Sequence, residues 1–312
     1  MESVISNSLT PMLTIFSIPK AFRRQIGVIQ TNAIKSWTQL RPSCEIILFG
    51  DDEGTAEIAA ELGILHIPNV ERNEYGTPLL NSIFSVAQDI ASHQLMCYVN
   101  ADIILMSDFL VAIRQIQKPS FLLSGRRWNI ELKKPLDFGS PDWEEQLRAH
   151  LAEAGKLRRS SGFDYFVFPR STSYDMPPFA VGRGSWDNWL PYKARTLKIP
   201  LIDATEAITI VHQNHGYSHI PTRETGAWKG PEAKRNRELS GRIDYGFTFD
   251  YVTWILTRKG MKRALSMRHL YFQMRAIPVL YPNLYFLLNL FKIAERILIP
   301  VRSILRLNLE NE

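Results

Sequence analysis

An apolar strand that ends in two polar side chains is the segment of the sequence with the clearest chemical use. The apolar run that ends at Val99 leads into Asn100 and Asp102, and apolar residues resume at Ile103. A carboxylate just past a buried strand faces the ligand crevice of an α/β sheet instead of its core. Because Mg²⁺ and Mn²⁺ bind phosphates with the help of carboxylate oxygens, the pattern indicates a metal that neutralises a diphosphate. The alternative interpretation is that Asp102 caps a turn and Asn100 satisfies loop backbone.

A group of histidines follows a second apolar segment. His212, His215 and His219 come directly after the apolar run 208–211, and the whole chain contains 7 histidines. A single histidine is most often structural, whereas three at the end of a strand favour a ligand or catalytic role. The spacing of His212 and His215 cannot define a metal site by itself, so a carboxylate from elsewhere, such as Asp102, is required.

A carboxylate between two tryptophans is the third feature. Asp187 lies between Trp186 and Trp189, and the strand predicted near 163–170 begins with the acidic Asp164. Tryptophan faces suit sugar rings, and burial beside them raises the pKa of a carboxylate towards that of a useful base. We therefore predict that Asp187 is a general base. In the alternative, Asp187 stabilises a helix N-terminus and the tryptophans pack in the core.

The elements that must position these residues alternate between strand and helix. Apolar runs and helical spacing predict strands over 12–17, 44–49, 64–67 and 95–99, and helices over 23–40, 55–62 and 79–92. This alternation predicts a parallel sheet covered by helices on both faces. Ligands of such sheets bind outside the carboxyl ends of the strands, where Asn100 and Asp102 are expected. The middle of the chain, 121–246, is expected to add loops and short strands to the same domain.

The Asn100-Ala101-Asp102 segment resembles the DxD motif of GT-A-type glycosyltransferases, with Asn in place of the first Asp. The resemblance covers roughly residues 11–250. It implies a GT-A (Rossmann-like) α/β fold and an enzyme that moves a sugar from a nucleotide diphosphate to an acceptor hydroxyl. In that family the last Asp of the motif coordinates Mn²⁺ or Mg²⁺, and the first contacts the ribose or reaches the metal through water. The resemblance therefore implies that Asp102 binds the metal and that Asn100 lies at the donor.

The same resemblance implies further site residues. Ser17 follows the first strand, where the family holds the uridine or guanosine base, and Asp51 follows the second strand, where an acidic residue often lies near the base or ribose. Asn81 belongs to the loop and helix start that line the donor pocket. Many members supply a late histidine that completes the metal shell, for which His212 is the first choice and His215 the second. For Asp51, a solvated loop beside a helix cap is the alternative interpretation.

The charge of the chain is concentrated at one end. The 312 residues carry a net charge of +6, and 45% are hydrophobic, which is enough for one large α/β domain. Residues 258–312 contain 10 Lys and Arg against 3 acidic residues, so residues 1–257 carry about −1 (6 − 7). A nearly neutral body argues against a nucleic-acid-binding surface and favours a tail that meets an anionic partner. We therefore divide the chain into a catalytic domain, 1–257, and a basic tail, 258–312.

The basic tail has the pattern of an amphipathic helix. Its longest apolar segment, 279–291, is shorter than the roughly 20 residues that span a bilayer. A basic apolar helix suits peripheral contact with the inner face of the plasma membrane, and hence a lipid-linked or membrane-proximal glycan acceptor. In the alternative, the helix covers the catalytic domain or pairs with a second subunit. Since no signal-peptide pattern precedes the first strand, the cytoplasm is the expected compartment.

Two other functions compete with metal-dependent glycosyl transfer, which we expect to invert the anomeric centre. A nucleotidylyltransferase would carry a Gly-rich basic loop after the first strand, where this chain has Ser17-Ile18-Pro19-Lys20. A non-catalytic protein that binds nucleotide sugars, membranes or partners is compatible with Asn100. The segment 228–236 is interpreted as a solvated connector or as a mobile basic loop that closes over the diphosphate.

Overall fold

The computed structural model describes residues 13–215, 228–241 and 246–284. Its strands are β1 (Leu13–Ser17), β2 (Glu45–Phe49), β3 (Leu65–Ile67), β4 (Leu95–Val99), β5 (Ile103–Ile104), β6 (Leu122–Ser124), β7 (Arg127–Ile130), β8 (Lys156–Leu157), β9 (Tyr165–Pro169), β10 (Leu201–Asp203), β11 (Ile210–Gln213), β12 (Trp254–Thr257) and β13 (Gly260–Arg263). Its α-helices are α1 (Arg24–Thr38), α2 (Thr55–Leu62), α3 (Leu80–Ile90), α4 (Asp108–Ile113), α5 (Trp143–Ala154), α6 (Trp186–Thr196), α7 (Pro231–Leu239) and α8 (Met267–Leu280). Two short 3₁₀ helices span Phe249–Tyr251 and Pro282–Leu284.

A nine-stranded sheet has the order β13-β12-β10-β6-β9-β4-β1-β2-β3. The four strands expected in the first third of the chain pair in parallel, as β3-β2-β1-β4. Farther along, β10 pairs in parallel with β6 and β12, whereas β9 lies antiparallel between β4 and β6. The fold class expected from the sequence, a mostly parallel sheet flanked by helices, is confirmed.

Helices cover both faces of this sheet. On one face α1, α2 and α4 contribute Trp37, Ile58 and Phe109, and on the other α3 and α6 contribute Phe84 and Leu190. Each of these side chains is at most 5% exposed. Burial of a large apolar side chain contributes about 1.5–3 kcal/mol, so the two apolar layers hold the strands, and the loops at their carboxyl ends, in fixed positions.

A second, four-stranded sheet has the order β5-β11-β7-β8. Its strand β5 begins at Ile103, directly after the loop that contains Asp102, and pairs antiparallel with β11. In this register His212 lies opposite Ile103, and the Gln213 N–H donates to the Asp102 carbonyl at 3.3 Å. The second sheet therefore places a strand with a histidine beside the end of β4.

Three features of the remaining chain differ from the sequence-based picture or extend it. The middle region, expected to consist of loops and short strands, also contains α5, α6 and α7. Residues 231–239, which include most of the expected connector, form α7, with Pro231 in its first turn. The sheet continues beyond residue 257, because β13 pairs antiparallel with β12, and the domain division there stays a prediction.

The expectations for His219 and for the tail beyond Leu284 fall outside the described residues. Within the part of the chain that is described, no helix combines the length and the apolar character needed to cross a membrane.

Candidate active site

Asp102, His212 and His215 converge at the carboxyl end of β4. The Asp102 Oδ2 atom lies 3.4 Å from His212 Nε2 and 3.1 Å from His215 Nε2. Candidate ligand atoms of all three residues lie within 4.8 Å of one another. The sequence left open which of the two histidines joins Asp102, and the structure places both imidazoles against the same carboxylate oxygen.

A buried polar network holds this group in place. The Gln213 amide donates to the Ile29 carbonyl at 2.8 Å and accepts from the Asn32 amide at 3.0 Å, so β11 is tied to α1. On the other side of the loop, the Trp37 indole N–H donates to the Ile103 carbonyl at 2.9 Å. Because these donors and acceptors are satisfied away from water, the Asp102 loop has little freedom to move relative to the histidines.

The composition of the Asp102 group fits a divalent cation. One carboxylate and two imidazoles are ligands that Mn²⁺ and related metals accept, and three protein ligands leave positions for a substrate. The Asp102 Oδ1 and His212 Nδ1 atoms are buried without a hydrogen-bond partner among the described residues. Burial favours the neutral acid, but the two histidine hydrogen bonds outweigh it and hold the pKa of Asp102 well below its usual range. The carboxylate is therefore ionised, as a metal ligand must be.

Asn100 is hydrogen-bonded to an acidic residue, Asp164, that directly precedes the neighbouring strand β9. Its side-chain amide donates to Asp164 Oδ1 at 3.2 Å, and its backbone N–H donates to the Asp164 carbonyl at 2.9 Å. The same Asp164 oxygen accepts from the Arg127 guanidinium, and both side chains of this ion pair are 10% exposed. Position 100 thus lacks a carboxylate of its own, and Asp164 brings one beside it.

Asp187 lies in the first turn of α6 and has the opposite electrostatic environment to Asp102. Burial raises the pKa of Asp187 to about 6, the nearby Asp164 carboxylate adds to the rise, and backbone N–H groups, including that of Phe163, oppose it. Its Oδ1 atom is buried without a hydrogen-bond partner among the residues described. A carboxyl group whose pKa lies close to neutral pH suits general base catalysis.

Tyr98 joins the end of β4 to the start of α6, because its ring packs edge-on against Trp186 with 5.2 Å between the ring centroids. Burial raises the pKa of the Tyr98 phenol, and the carboxylates of Asp102, Asp164 and Asp187 each add to the rise. The sequence analysis noted Asp164 as the acid at the start of a strand but did not predict that it would lie beside Asn100. The antiparallel course of β9 is what brings the first residues of that strand to the end of β4.

The expectation that Trp186 and Trp189 face a sugar is wrong. Both are 7% exposed. Trp186 packs edge-on against Tyr98 and Phe166, and Trp189 packs against Phe179. Their aromatic faces are used in the core beneath α6, which is the alternative that the sequence allowed.

Helix α7 clamps the turn that leads into α6, a contact that the sequence interpretation missed. The Asn236 amide is fully buried, accepts from the Ala180 N–H at 2.9 Å and donates to the Ala180 carbonyl at 3.1 Å. Glu232 pairs with Arg183, with 2.5 Å between Nη2 and Oε2. A Pro followed by an acid is a helix-start signal that could have revealed α7, but its partners are remote in sequence.

The other three residues expected to contact the donor lie at different places in the fold. The Ser17 hydroxyl is buried and donates to the Val99 carbonyl at 2.6 Å, so it joins β1 to β4. Asp51 is 68% exposed and pairs with Arg72. The helix cap near them is Gly54, so Asp51 does not cap α2. Asn81 lies in the first turn of α3, and its Oδ1 atom is buried without a partner in the described part of the chain.

No protein-family model matches the chain, and no curated protein matches it in sequence. Among solved structures, it resembles mannosyltransferase PcManGT from Pyrobaculum calidifontis in complex with GDP-Man and Mn2+. The TM-score is 0.42 and the identity 13%, over 71% of this chain and 60% of that one. It also resembles glucosyl-3-phosphoglycerate synthase from Mycobacterium tuberculosis in complex with Mg2+ and uridine-diphosphate, with a TM-score of 0.38 and 13% identity over 67% and 74% of the two chains.

A third similar structure is S. aureus TarS, with a TM-score of 0.40 and 11% identity over 65% of this chain and 58% of that one. The chain thus spans less than two thirds of the mannosyltransferase and of TarS. With TM-scores below 0.5, these similarities assign neither an activity nor a substrate to it.

Proposed function

We propose that the chain is a metal-dependent glycosyltransferase, which moves a sugar from a nucleotide diphosphate to an acceptor hydroxyl. The observation that carries the proposal is a pair of carboxylates, at the end of β4 and at the start of α6, that are in opposite states. Asp102 is ionised beside two histidines, whereas Asp187 has a pKa of about 6. Two titratable groups whose environments push their pKa values apart are typical of a site that needs one anion and one base.

Asp102, His212 and His215 are the residues that would hold the cation. Mn²⁺ or Mg²⁺ bound by them would neutralise the charge that develops on the diphosphate as the sugar leaves. We assign Asn100 and Asn81 to the donor, since the Asn100 side chain lies at the end of β4 and the Asn81 oxygen is buried without a partner among the described residues. We retain Asp51 and Ser17 as donor-side residues, with Ser17 acting through its bond to the Val99 carbonyl.

Asp187 is the residue that we assign to the acceptor. Its carboxylate takes the proton of the acceptor hydroxyl as the oxygen forms a bond to the anomeric carbon and the bond to the diphosphate breaks. A single displacement of this kind inverts the anomeric centre. The partner-free Oδ1 of Asp187 supports this role, because a base needs an oxygen that is not already occupied.

We further propose a glycan acceptor that is lipid-linked or close to a membrane, with the enzyme on the cytoplasmic side. Support comes from the charge distribution: residues 258–284 contain six Lys and Arg and no acidic residue. A polyanionic or membrane-bound partner would be attracted to this end of the chain.

A non-catalytic protein that binds nucleotide sugars is the second candidate. The observation that favours it is Asn100, whose amide is bound to Asp164 where the motif would carry a carboxylate. Such a protein would bind a nucleotide diphosphate with the metal and would not break the sugar–phosphate bond.

Ligand binding and turnover measured together test both candidates. The full chain is melted with Mn²⁺ or Mg²⁺ and with UDP or GDP, and the same mixtures with a panel of nucleotide sugars are assayed for donor hydrolysis. A ligand at 100 times its Kd adds about 2.7 kcal/mol of stability, so we expect the melting temperature to rise by several degrees only when metal and nucleotide are both present. Stabilisation without hydrolysis or transfer would support the binding protein, and no stabilisation by any pair would contradict both.

A further inference from the structure

The exposed apolar side chains of the described residues are concentrated at one end of the chain. Twelve large apolar residues are exposed, and half of them lie in the short segment 265–284, including Met267 at 77% and Leu265 at 63%. Isolated exposed apolar residues are normal in proteins, whereas a cluster of them marks a surface that meets a partner or a membrane.

Helix α8 explains the cluster by the way it packs. One side of it faces the domain: Phe272 packs against Tyr251, Ala276 is buried, and Arg268 pairs with Asp250 at 2.7 Å. These positions are spaced by four residues, as expected for one helix face. Met267, Leu270, Met274 and Tyr281 follow the same helical spacing on another side and are exposed. Helix α8 is thus anchored to the domain by one face, and its second apolar face is exposed.

Positive charge surrounds this second face. The net charge of the whole chain is +6, and residues 258–284 alone contain six Lys and Arg and no acidic residue. Two of the six bind acids elsewhere in the fold, since Lys262 pairs with Glu206 and Arg268 with Asp250. Arg263 lies over the Trp254 ring at 4.2 Å and is exposed.

A groove of about 960 Å³ runs between α8 and the end of α6. Arg195, Lys198 and Arg263 line it together with apolar side chains of α8, and none of the described residues that line it is acidic. Arg195 donates to the Tyr251 carbonyl at 2.5 Å and forms no salt bridge with any described carboxylate. Burial lowers the pKa of Arg195, as expected for a guanidinium that lacks an anionic partner.

We propose that this face docks on an anionic lipid bilayer. The α8 surface, as we call it, consists of Leu265, Met267, Leu270, Met274 and Tyr281 with Arg195, Lys198 and Arg263. The apolar side chains enter the boundary of the acyl chains, and the three cations bind lipid phosphates at the groove.

Charge favours an anionic bilayer over two other partners for this face, which are the last residues of the same chain and a second copy of the protein. Residues 285–312 of the same chain contain four Lys and Arg and three acidic residues, so their net charge of +1 shares the sign of the α8 surface. A second copy would bring the same cations against it. Like charges disfavour both contacts, whereas an anionic bilayer is complementary in charge and in apolar character.

The groove is connected to the candidate active site by a single helix. Arg195 follows Asp187 by eight residues on α6, which corresponds to about 12 Å along the helix axis. Docking would therefore hold the candidate base near the membrane surface. The inference concerns a binding surface, and its test does not depend on transfer activity.

Flotation of the full chain with vesicles tests the proposal. The vesicles contain phosphatidylcholine alone or mixed with phosphatidylglycerol, and the variant is Arg263→Glu with Met267→Ser. We expect the wild-type chain to float with the anionic vesicles at low salt and to dissociate from them at high salt. It should not float with the neutral vesicles. The variant should bind at least about tenfold more weakly.

A matched control is available at the far edge of the sheet. Arg41 is exposed, and Leu65 is 43% exposed on β3, at the opposite edge from β13. Arg41→Glu with Leu65→Ser therefore makes the same change in charge and should float like the wild type. Circular dichroism and melting of both variants show whether each is folded.

Three results would overturn the proposal. The wild-type chain could stay at the bottom of the gradient with anionic vesicles at low salt. The α8 variant, folded, could float as well as the control, which would assign binding to another part of the chain. A wild-type dimer that the α8 variant dissociates, without vesicle binding, would make the face an interface between two copies.

Discussion

Asp102 and Asp187 contain the same functional group in opposite states. At the end of β4, two imidazoles donate to or approach Asp102 and hold the pKa of its carboxyl well below its usual range. At the start of α6, burial and the Asp164 carboxylate raise the pKa of Asp187 to about 6. Both carboxylates are partly buried, so burial alone does not determine their charge.

The difference between Asp102 and Asp187 shows that the neighbouring residues determine the chemical role of each carboxylate. Burial disfavours an ionised carboxylate in both places. At Asp102 the hydrogen bonds from the histidines outweigh burial, whereas at Asp187 no cationic side chain of the described residues opposes it. One acid is thus prepared to bind a cation and the other to accept a proton. A change to either set of neighbours should therefore alter the charge or the role of one carboxylate in a predictable way.

Removal of the metal-side carboxylate should have the largest effect. Asp102→Ala deletes the only acid of the Asp102 group, so we expect no measurable metal-dependent binding of UDP or GDP, while the fold survives. Isothermal titration calorimetry measures this. The control is Asp89→Ala, an exposed acid on α3, which should bind like the wild type. Unchanged metal and nucleotide affinity in Asp102→Ala would remove the metal site from the proposal.

Asp187→Asn should lower turnover without weakening donor binding or destabilising the fold. Without the base, we expect turnover to fall by about 10²–10⁴-fold while donor binding persists. The acid limb of the wild-type rate profile should lie near pH 6, because Asp187 must be deprotonated to act. Product NMR should show an inverted anomeric configuration. Transfer near the wild-type rate in the variant would leave Asp187 as a residue that only stabilises α6.

The same variant should be more stable than the wild type at pH 8. The folded-state pKa of Asp187, about 6, exceeds its ordinary value of 3.8, so its contribution favours folding below pH 4 and is lost as pH rises through 6. Asn has no such cost, and we expect a gain on the order of 1–3 kcal/mol in the free energy of unfolding. Urea unfolding at pH 8 and pH 4 measures it, and a gain of equal size at both values would point to another cause.

Each histidine of the Asp102 group should matter to metal affinity. Both Nε2 atoms face Asp102 Oδ2, so His212→Ala and His215→Ala should each weaken metal binding by at least the about 10- to 100-fold that is typical of outer-shell partners. His150→Ala, an exposed histidine on α5, is the control. If one of the two variants kept full metal affinity, the site would contain a single histidine ligand.

A change at Asp164 should have the smallest effect. It tests how much the charge of Asp164 contributes to the raised pKa of Asp187. Asp164→Asn with Arg127→Gln removes the charge that raises the pKa of Asp187 and leaves no unpaired buried cation. We expect the acid limb of the rate profile to move to lower pH, with turnover above the limb reduced modestly. A limb that stays at the wild-type pH would show that burial alone determines the pKa of Asp187.

Local patterns in the sequence were sufficient for the first half of the fold. Short apolar runs separated by helical spacing located β1 to β4 and α1 to α3 closely, because burial of one face or both leaves a periodic signal. The same signal placed Asp102 just past β4, whereas a helix that begins near Asp187 was only the alternative interpretation. Those two positions depend on where one element ends, which neighbouring residues decide.

Pairings between distant segments had no such signal. The antiparallel insertion of β9 brought Asp164 to Asn100, the β5–β11 register brought both histidines to Asp102, and α7 came to lie on the turn before α6. The burial of Trp186 and Trp189 likewise followed from packing against the sheet. By itself the sequence determined which side chains could do chemistry and that Asp102 lies at the end of a strand. Only the tertiary structure decided which of them meet, because a contact between residues far apart in the chain is selected by the packing of whole elements and leaves no local periodicity.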